Sequence, residues 1–229
     1  MSPIYVPGKV VLAQGQPVPN DPNFAFNSLL LHGNGTNGST VITDSSGSPK
    51  TVTAVGNAQI STAQSKFGGS SIAFDGTGDY LEVAFASLAN SFDADFTVEW
   101  WQLLSNPATA QSVVNLLVSG NGAIKVGSGA MQVYYASNNV ARSVSFGSGW
   151  QHCAVCRNAG AFLLFVDGVT GANNIVNNSG AGLPTRFDIG RNNADYVSLN
   201  GYIDDLRITK GVARYTANFT PPTLPFPDF

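Results

Sequence analysis

Few side chains in this sequence could do chemistry, and their spacing limits what that chemistry is. Glu82 and Glu99 are its only glutamates. Hydrolysis of a glycosidic bond needs two carboxylates flanking it, about 5–5.5 Å apart in retaining enzymes. The two glutamates fall in different predicted strands, and Glu99, within TVEWW (97–101), has no acid two residues to either side. His32 and His152 are the only histidines. His152 lies mid-strand, and no Gly-x-Ser-x-Gly elbow supplies a serine nucleophile. A hydrogen-bonded structural role is the expectation for it. Cys153 and Cys156 stand three apart in one strand, so they face opposite ways and lie about 10 Å apart at ~3.3 Å per residue. A disulfide needs Cα atoms within about 7 Å, and no second C-x-x-C completes a zinc site. Both read as small buried hydrophobes. Catalysis is not expected of this chain.

Two kinds of binding chemistry remain. Calcium takes about 6–8 oxygen ligands. Asp75 and Asp79 across a Gly-rich turn, and Asp204 and Asp205 within a strand, are the candidate donors, against the plainer reading of turn and bulge acids. No other cofactor is expected. Glycan recognition uses stacking rings and forked amides. The run RNNADY (191–196) has both, which makes Asn192, Asn193, Asp195 and Tyr196 the candidates, together with the polar loop 173–179. Asn-rich loops also simply turn the chain.

The elements that must position these residues are strands. Of 229 residues, 43% are hydrophobic and 11% charged, against a usual charged share of about 25%. Exposed helices need Glu, Lys and Arg, which are scarce here. Short alternating or apolar runs at 28–32, 51–55, 71–74, 79–84, 96–101, 111–118, 130–135, 140–146, 150–157, 161–166, 186–190 and 201–209 alternate with turn signals. Asp167-Gly168 marks a hairpin. Single helical turns fit 86–90 and 211–215. In IDDLRI (203–208) the apolar residues cannot all face inward on a period of two, so a β-bulge is expected near Asp204 and Asp205. About a dozen short strands point to an all-β sandwich or barrel.

Charge and proline narrow the setting. The formal net charge of −3 and the absence of a Lys/Arg run exclude nucleic acid and anionic membranes as partners. No apolar run approaches the ~18 residues of a membrane span, and no signal-peptide pattern opens the chain. Synthesis in a cytoplasm without standard export is the expectation, so the sequons at Asn34, Asn37 and Asn218 carry no weight. Five prolines fall in the first 22 residues and four in the last nine. Proline cannot donate to a sheet ladder, so the reading is an extended arm at 1–27, a β-sandwich at 28–218 and a Pro-rich arm at 219–229. Phe24, Phe26, Phe219, Phe226 and Phe229 are the apolar anchors such arms would use.

Four stretches in order carry a family resemblance: KFGGSSIAFDGTGDYL (66–81), DFTVEWW (95–101), WQHCAVCR (150–157) with FVDG (165–168), and GYIDDLRITKGVARY (201–215). Together they resemble the LamG-like branch of the concanavalin A-like lectin/glucanase superfamily. The resemblance implies a two-sheet antiparallel jelly roll. The sandwich glucanases place their acids on one strand as Glu-x-Asp-x-x-Glu, a run missing here, so hydrolase activity is not expected. The closing segment RYTANFTPP (214–222) is similar to versions in bacteriophage structural proteins. That implies a decoration protein of a virion, with copies of itself and other virion proteins as partners. The alternative is a carbohydrate-binding module of a phage fibre, recognising a cell-surface glycan.

Overall fold

The computed structural model describes residues 5–6, 9–10, 20–84, 94–115, 122–135, 138–171, 186–192 and 197–229. In chain order the strands are β1 (Tyr5–Val6), β2 (Lys9–Val10), β3 (Asn27–Leu31), β4 (Val52–Val55), β5 (Gln59–Ser61), β6 (Ser71–Asp75), β7 (Tyr80–Ala84), β8 (Phe96–Leu104) and β9 (Gln111–Asn115). They continue as β10 (Gly122–Gly127), β11 (Ala130–Tyr135), β12 (Asn138–Ser143), β13 (Gln151–Asn158), β14 (Ala161–Val166), β15 (Val169–Thr170), β16 (Arg186–Ile189) and β17 (Asn200–Lys210). One 3-10 turn covers Phe24–Phe26. β1 and β2 pair with each other. The rest form two antiparallel sheets. One runs β12-β11-β10-β9-β16-β7-β4 and the other β15-β14-β13-β8-β17-β6-β5, with β3 also paired to β17. This is the antiparallel two-sheet sandwich that the family resemblance implies, and one of the two architectures the strand pattern leaves open.

The core lies between the sheets. Phe96, Val98 and Trp100 of β8 face it, with Leu81 and Val83 of β7 and Phe187 and Ile189 of β16 opposite. β17 carries the expected bulge. Its register against β8 shifts between Asp204 and Arg207, and Asp205 takes φ of 50°. The extra residue lets Ile203, Leu206 and Ile208 all reach the core. The same bulge hands β17's second edge from β6 to β3.

One expected helical turn is not formed. Residues 211–215 form no helical turn, because Thr97 Oγ1 donates to the Val212 carbonyl and accepts the Arg214 N–H. Those side-chain bonds replace the ones a helical turn would make. The other expected turn, 86–90, falls outside the described residues.

The terminal segments are not free arms where they are described. On β8, Thr97, Glu99 and Trp101 point away from the core yet are buried. Residues 20–27 and 211–229 cover them. Phe219 stacks on Tyr215 with centroids 3.5 Å apart, and both rings meet Phe165 edge-on. Phe226 is 3% exposed, its N–H bonds Asp205 and its ring lies 3.8 Å from the Arg207 guanidinium carbon. Burying such a ring contributes roughly 1.5–3 kcal/mol. Packing therefore runs past the boundaries at 28 and 218 that proline placement suggested. Proline bars these segments from the ladder, but not from lying flat on a sheet.

Candidate functional site

Polar chemistry gathers in two places, one on the outer side of each sheet. The first lies beneath the terminal segments. Glu99, fully buried on β8, accepts both Nε and Nη2 of Arg207 on Oε1, and Tyr215 Oη on Oε2. Arg207 Nη1 and Arg214 reach Asp21, and Arg214 also bonds Asn27 and Thr209. Two arginines thus face two carboxylates and the cluster is neutral. Burial alone would raise Glu99; Arg207 beside it, with His152 and Arg214, overrules this and holds it at about 2. His152 Nε2 stands 3.5 Å from Glu99 Oε2, inside a cage of Trp101, Tyr215, Phe219 and Phe226 rings. Glu99, His152 and Tyr215 would suit proton transfer, but Glu99 and His152 have no exposed surface. A cleft of about 300 Å³ between Pro22, Leu224 and Phe226 reaches Asp21, Arg207 and Arg214, which are already paired with one another, and not Glu99 or His152. This cluster clasps the chain ends to the sheet.

The expected roles of the cysteines and the aspartates follow the same structural logic. Cys153 faces the core and Cys156 the terminal cover, and both are free thiols. Burial pushes Cys156 up to about 12, too high for a reactive thiolate at neutral pH. Asp79 accepts the N–H groups of Asn57 and Asp75, while Asp75 accepts those of Thr77 and the Asn57 amide. Asp204 accepts the Lys66 and Phe67 N–H groups, and Asp205 holds His32 Nδ1 and the Phe226 N–H. Each carboxylate fastens backbone. No three His, Cys, Asp or Glu residues converge on a point that would hold a metal ion among the described residues.

The second place is the outer face of the seven-stranded sheet. Leu81, Val83, Phe187 and Ile189 face the core, so Tyr80, Glu82 and Asp188 between them face outward. Directly paired residues share a face. The register therefore sets Thr53, Glu82, Asp188, Asn115, Ala123 and Tyr134 in one row across six strands. A parallel row holds Ser112, Lys125 and Gln132. Asn115, Ser112 and Asp188 are buried, while Tyr80, Glu82, Lys125, Gln132 and Tyr134 are half-buried around them. The face is a shallow trough with amides and hydroxyls at its floor and rings and charges at its rim.

Arg191 joins this face through a backbone irregularity. Gly190 has φ of 93°, and a Cβ there would sit 2.6 Å from the Phe74 ring. That turn breaks the strand's alternation and sends Arg191 outward after Asp188. Its Nε donates to Asp188 Oδ2 at 3.0 Å, and its guanidinium carbon lies 3.3 Å from the Tyr80 ring centre. Arg191 bridges to Ser198, and the Asn192 N–H reaches the Val197 carbonyl. Asn192 itself is 3% exposed. Asn193, Asp195 and Tyr196 lie outside the described residues, as does the loop 173–179. Tyr80, Lys125, Tyr134 and Asp188 are not singled out by the sequence, and Glu82 stands out there only as a possible half of a hydrolytic carboxylate pair. Their alternation is visible, but the pairing of β7 with β16, a hundred residues apart, is not.

Among curated proteins none matches the chain in sequence. Among solved structures, a botulinum neurotoxin type C described as needing two ganglioside molecules for cell entry is 13% identical, with a TM-score of 0.62 over 82% of this chain and 48% of that one. The receptor-binding domain of a botulinum neurotoxin C/D mosaic serotype is 14% identical, with a TM-score of 0.64 over 90% of this chain and 49% of its own. The binding domain of botulinum neurotoxin DC, solved with rat synaptotagmin II, is 13% identical, with a TM-score of 0.62 over 90% and 50%. The chain spans about half the length of each, and the likeness is one of fold. A family model matches residues 75–214, from the Gly-rich turn after β6 to the arginine that clasps Asp21. That stretch is more than half of the chain and includes every strand of the trough except β4. The chain belongs to the concanavalin A-like lectin/glucanases superfamily.

Proposed function

We propose that this protein is a non-catalytic, lectin-like module that binds a cell-surface glycan in the trough of the seven-stranded sheet. The observation behind the reading is the contiguous face on which half-buried Glu82, Lys125, Gln132 and Tyr134 surround the buried Asp188 and Asn115, so that a carboxylate, a cation, an amide and a ring are presented on a rigid sheet. Sugars present hydroxyls and flat C–H faces, and such a surface matches both. Structurally similar toxin binding domains that engage ganglioside or a protein receptor lend support. A glycan array comparing the protein with its Lys125→Ala/Tyr134→Ala variant tests it. Binding that weakens in a variant of unchanged melting temperature supports the reading. No binding to any glycan, or equal binding by both proteins, sinks it.

Hydrolysis is the weaker reading. Glu82 and Asp188 are directly paired across two strands, a carboxylate pair that a one-strand motif cannot reveal. Yet Asp188 is 1% exposed and tied to Arg191, so the pair cannot flank a glycosidic bond. Release of reducing sugar from mixed polysaccharides would overturn this.

We further propose a setting on a phage particle, with copies of the chain and other virion proteins as partners. Phe26 and Phe229, 52% and 38% exposed on the terminal segments, support it as contact points. Phe24 is half-buried, and Phe226 is committed to its own sheet and unavailable to a neighbour. A native mass equal to the monomer for both the protein and its mixtures with capsid would count against it.

A further inference from the structure

We propose that the Arg191 corner of the trough receives the carboxylate of an acidic sugar, a sialic or uronic acid unit. This rests on the glycan-binding reading above and narrows it to a ligand class.

The guanidinium of Arg191 is fixed in plane and position before any ligand arrives. Tyr80 lies flat beneath it at 3.3 Å and Asp188 Oδ2 holds its Nε at 3.0 Å. Asp188 is itself buried, so the tether is rigid. Among the described contacts, Nη1 and Nη2 make no hydrogen bond, and the side chain keeps 17% of its surface exposed. A planar fork with two unused donor groups fits a carboxylate's two oxygens. Little side-chain entropy remains to be lost when one binds, because stack and tether have already removed it.

Two neighbours point the same way. Ser112, one strand over on β9, has a fully buried hydroxyl with no hydrogen-bond partner. A buried hydroxyl without a partner costs free energy that a ligand's oxygen would recover. Lys125, paired with Ser112 on the far side, adds a second positive charge about 10 Å from Arg191. This positive strip borders the row of Glu82 and Asp188, and the whole chain carries −3. One carboxylate in a neutral sugar chain suits that juxtaposition. A polyanion would run onto the acids.

Tyr80 is capped by Arg191 and Tyr134 lies 5.1 Å from Lys125 Nζ. Both ring faces that a neutral sugar would stack on are thus shared with cations, which shifts recognition from stacking towards charge.

The experiment is calorimetric titration with 3′-sialyllactose and an aldobiouronic acid (glucuronosyl-xylose), each with a single carboxylate and each beside its carboxyl methyl ester, and with lactose as the neutral control. The acid forms should bind at least tenfold tighter than their esters, and the advantage should shrink as salt rises from 0.05 to 0.5 M, as expected for an ion pair that keeps some contact with solvent. Arg191→Gln should lose roughly tenfold to a hundredfold in affinity for the acid and little for lactose, the range of a charge-assisted bidentate bond. The ester comparison uses the unmodified protein, so it decides the matter even if the variant fails to fold. Which acid binds distinguishes a sialic from a uronic source. Equal affinity for acid and ester overturns the inference and leaves the glycan reading standing. Absence of binding to all five sugars and to a broad glycan array overturns both.

Discussion

Replacing Glu99 by Gln tests whether the ion cluster clasps the chain ends or merely accompanies them. Glu99 is fully buried and holds the guanidinium of Arg207 with two bonds of 2.7 and 2.9 Å. The gap between 4.5 and about 2 for its carboxyl corresponds to about 3 kcal/mol, at ~1.36 kcal/mol per pH unit. Removing one partner of a buried pair costs a similar ~3–5 kcal/mol. For a chain of this size each kcal/mol moves the melting temperature by about 2–4 °C, so the variant should melt roughly 6–12 °C lower at pH 7. The sign of the pH dependence follows from the lowered carboxyl. Its contribution is complete above pH 4.5 and disappears as pH falls towards about 2. Urea titrations at pH 7, 4 and 2.5 should show the gap between natural protein and variant closing in acid. Exchanging Glu99 and Arg207 together for Met should recover much of the loss, since no charge is left unpaired. A Gln variant within about 0.5 kcal/mol of the natural protein at pH 7, or a gap indifferent to pH, would refute the clasp.

Asp204 should behave in the opposite sense. Burial pushes it up to about 6 against the pull of the Phe67 and Lys66 N–H groups, so stability falls as pH rises from 3.8 through 6, by about 3 kcal/mol. Asp204→Asn keeps an oxygen for those donors and should be the more stable protein at pH 7 but not at pH 4, as denaturant midpoints would show. Gly190→Ala would bring a Cβ within 2.6 Å of Phe74 at φ of 93°; it should cost about 2–4 kcal/mol and weaken glycan binding by misplacing Arg191. Deleting residues 1–22 removes Asp21 and should cost about 3 kcal/mol more than deleting residues 1–19. Equal stability of the two deletions would show that Asp21 is not part of the clasp.

The sequence reading succeeded where one strand contains all the information. The alternation of Phe96, Val98 and Trp100 and the broken period at Asp204-Asp205 each depend on neighbours in the chain, and the structure has both the inward face and the bulge. β10 escaped notice because glycines end the run GAIKVG on both sides and only Ala123, Ile124 and Val126 mark it as buried. The clasp and the trough escaped for a different reason. Glu99 and Arg207 are 108 positions apart, and so much separation leaves no periodic trace. In sequence Glu99 is a strand acid without a catalytic partner; its partner is a cation, and the cover that buries it comes from chain ends whose prolines suggest extended arms.

That cover also explains why the trough, rather than the other sheet, is the place to seek a ligand. Each sheet of a sandwich has one face in the core and one outside. Here the eight-stranded sheet's outer face is occupied by its own chain: Asp21, Tyr215, Phe219 and Phe226 take the positions a ligand would need. On the seven-stranded sheet's outer face Ser112, Asn115, Ala123 and Asp188 are buried, while Glu82, Lys125, Gln132 and Tyr134 around them stay half-buried. A purely structural sandwich would need only small solvated residues there. Asp188, with no more than 1% exposure, tethers a guanidinium through its Nε alone, an arrangement that orders a charge at some cost in solvation. Ordering of that kind returns free energy only when a second group meets the fork.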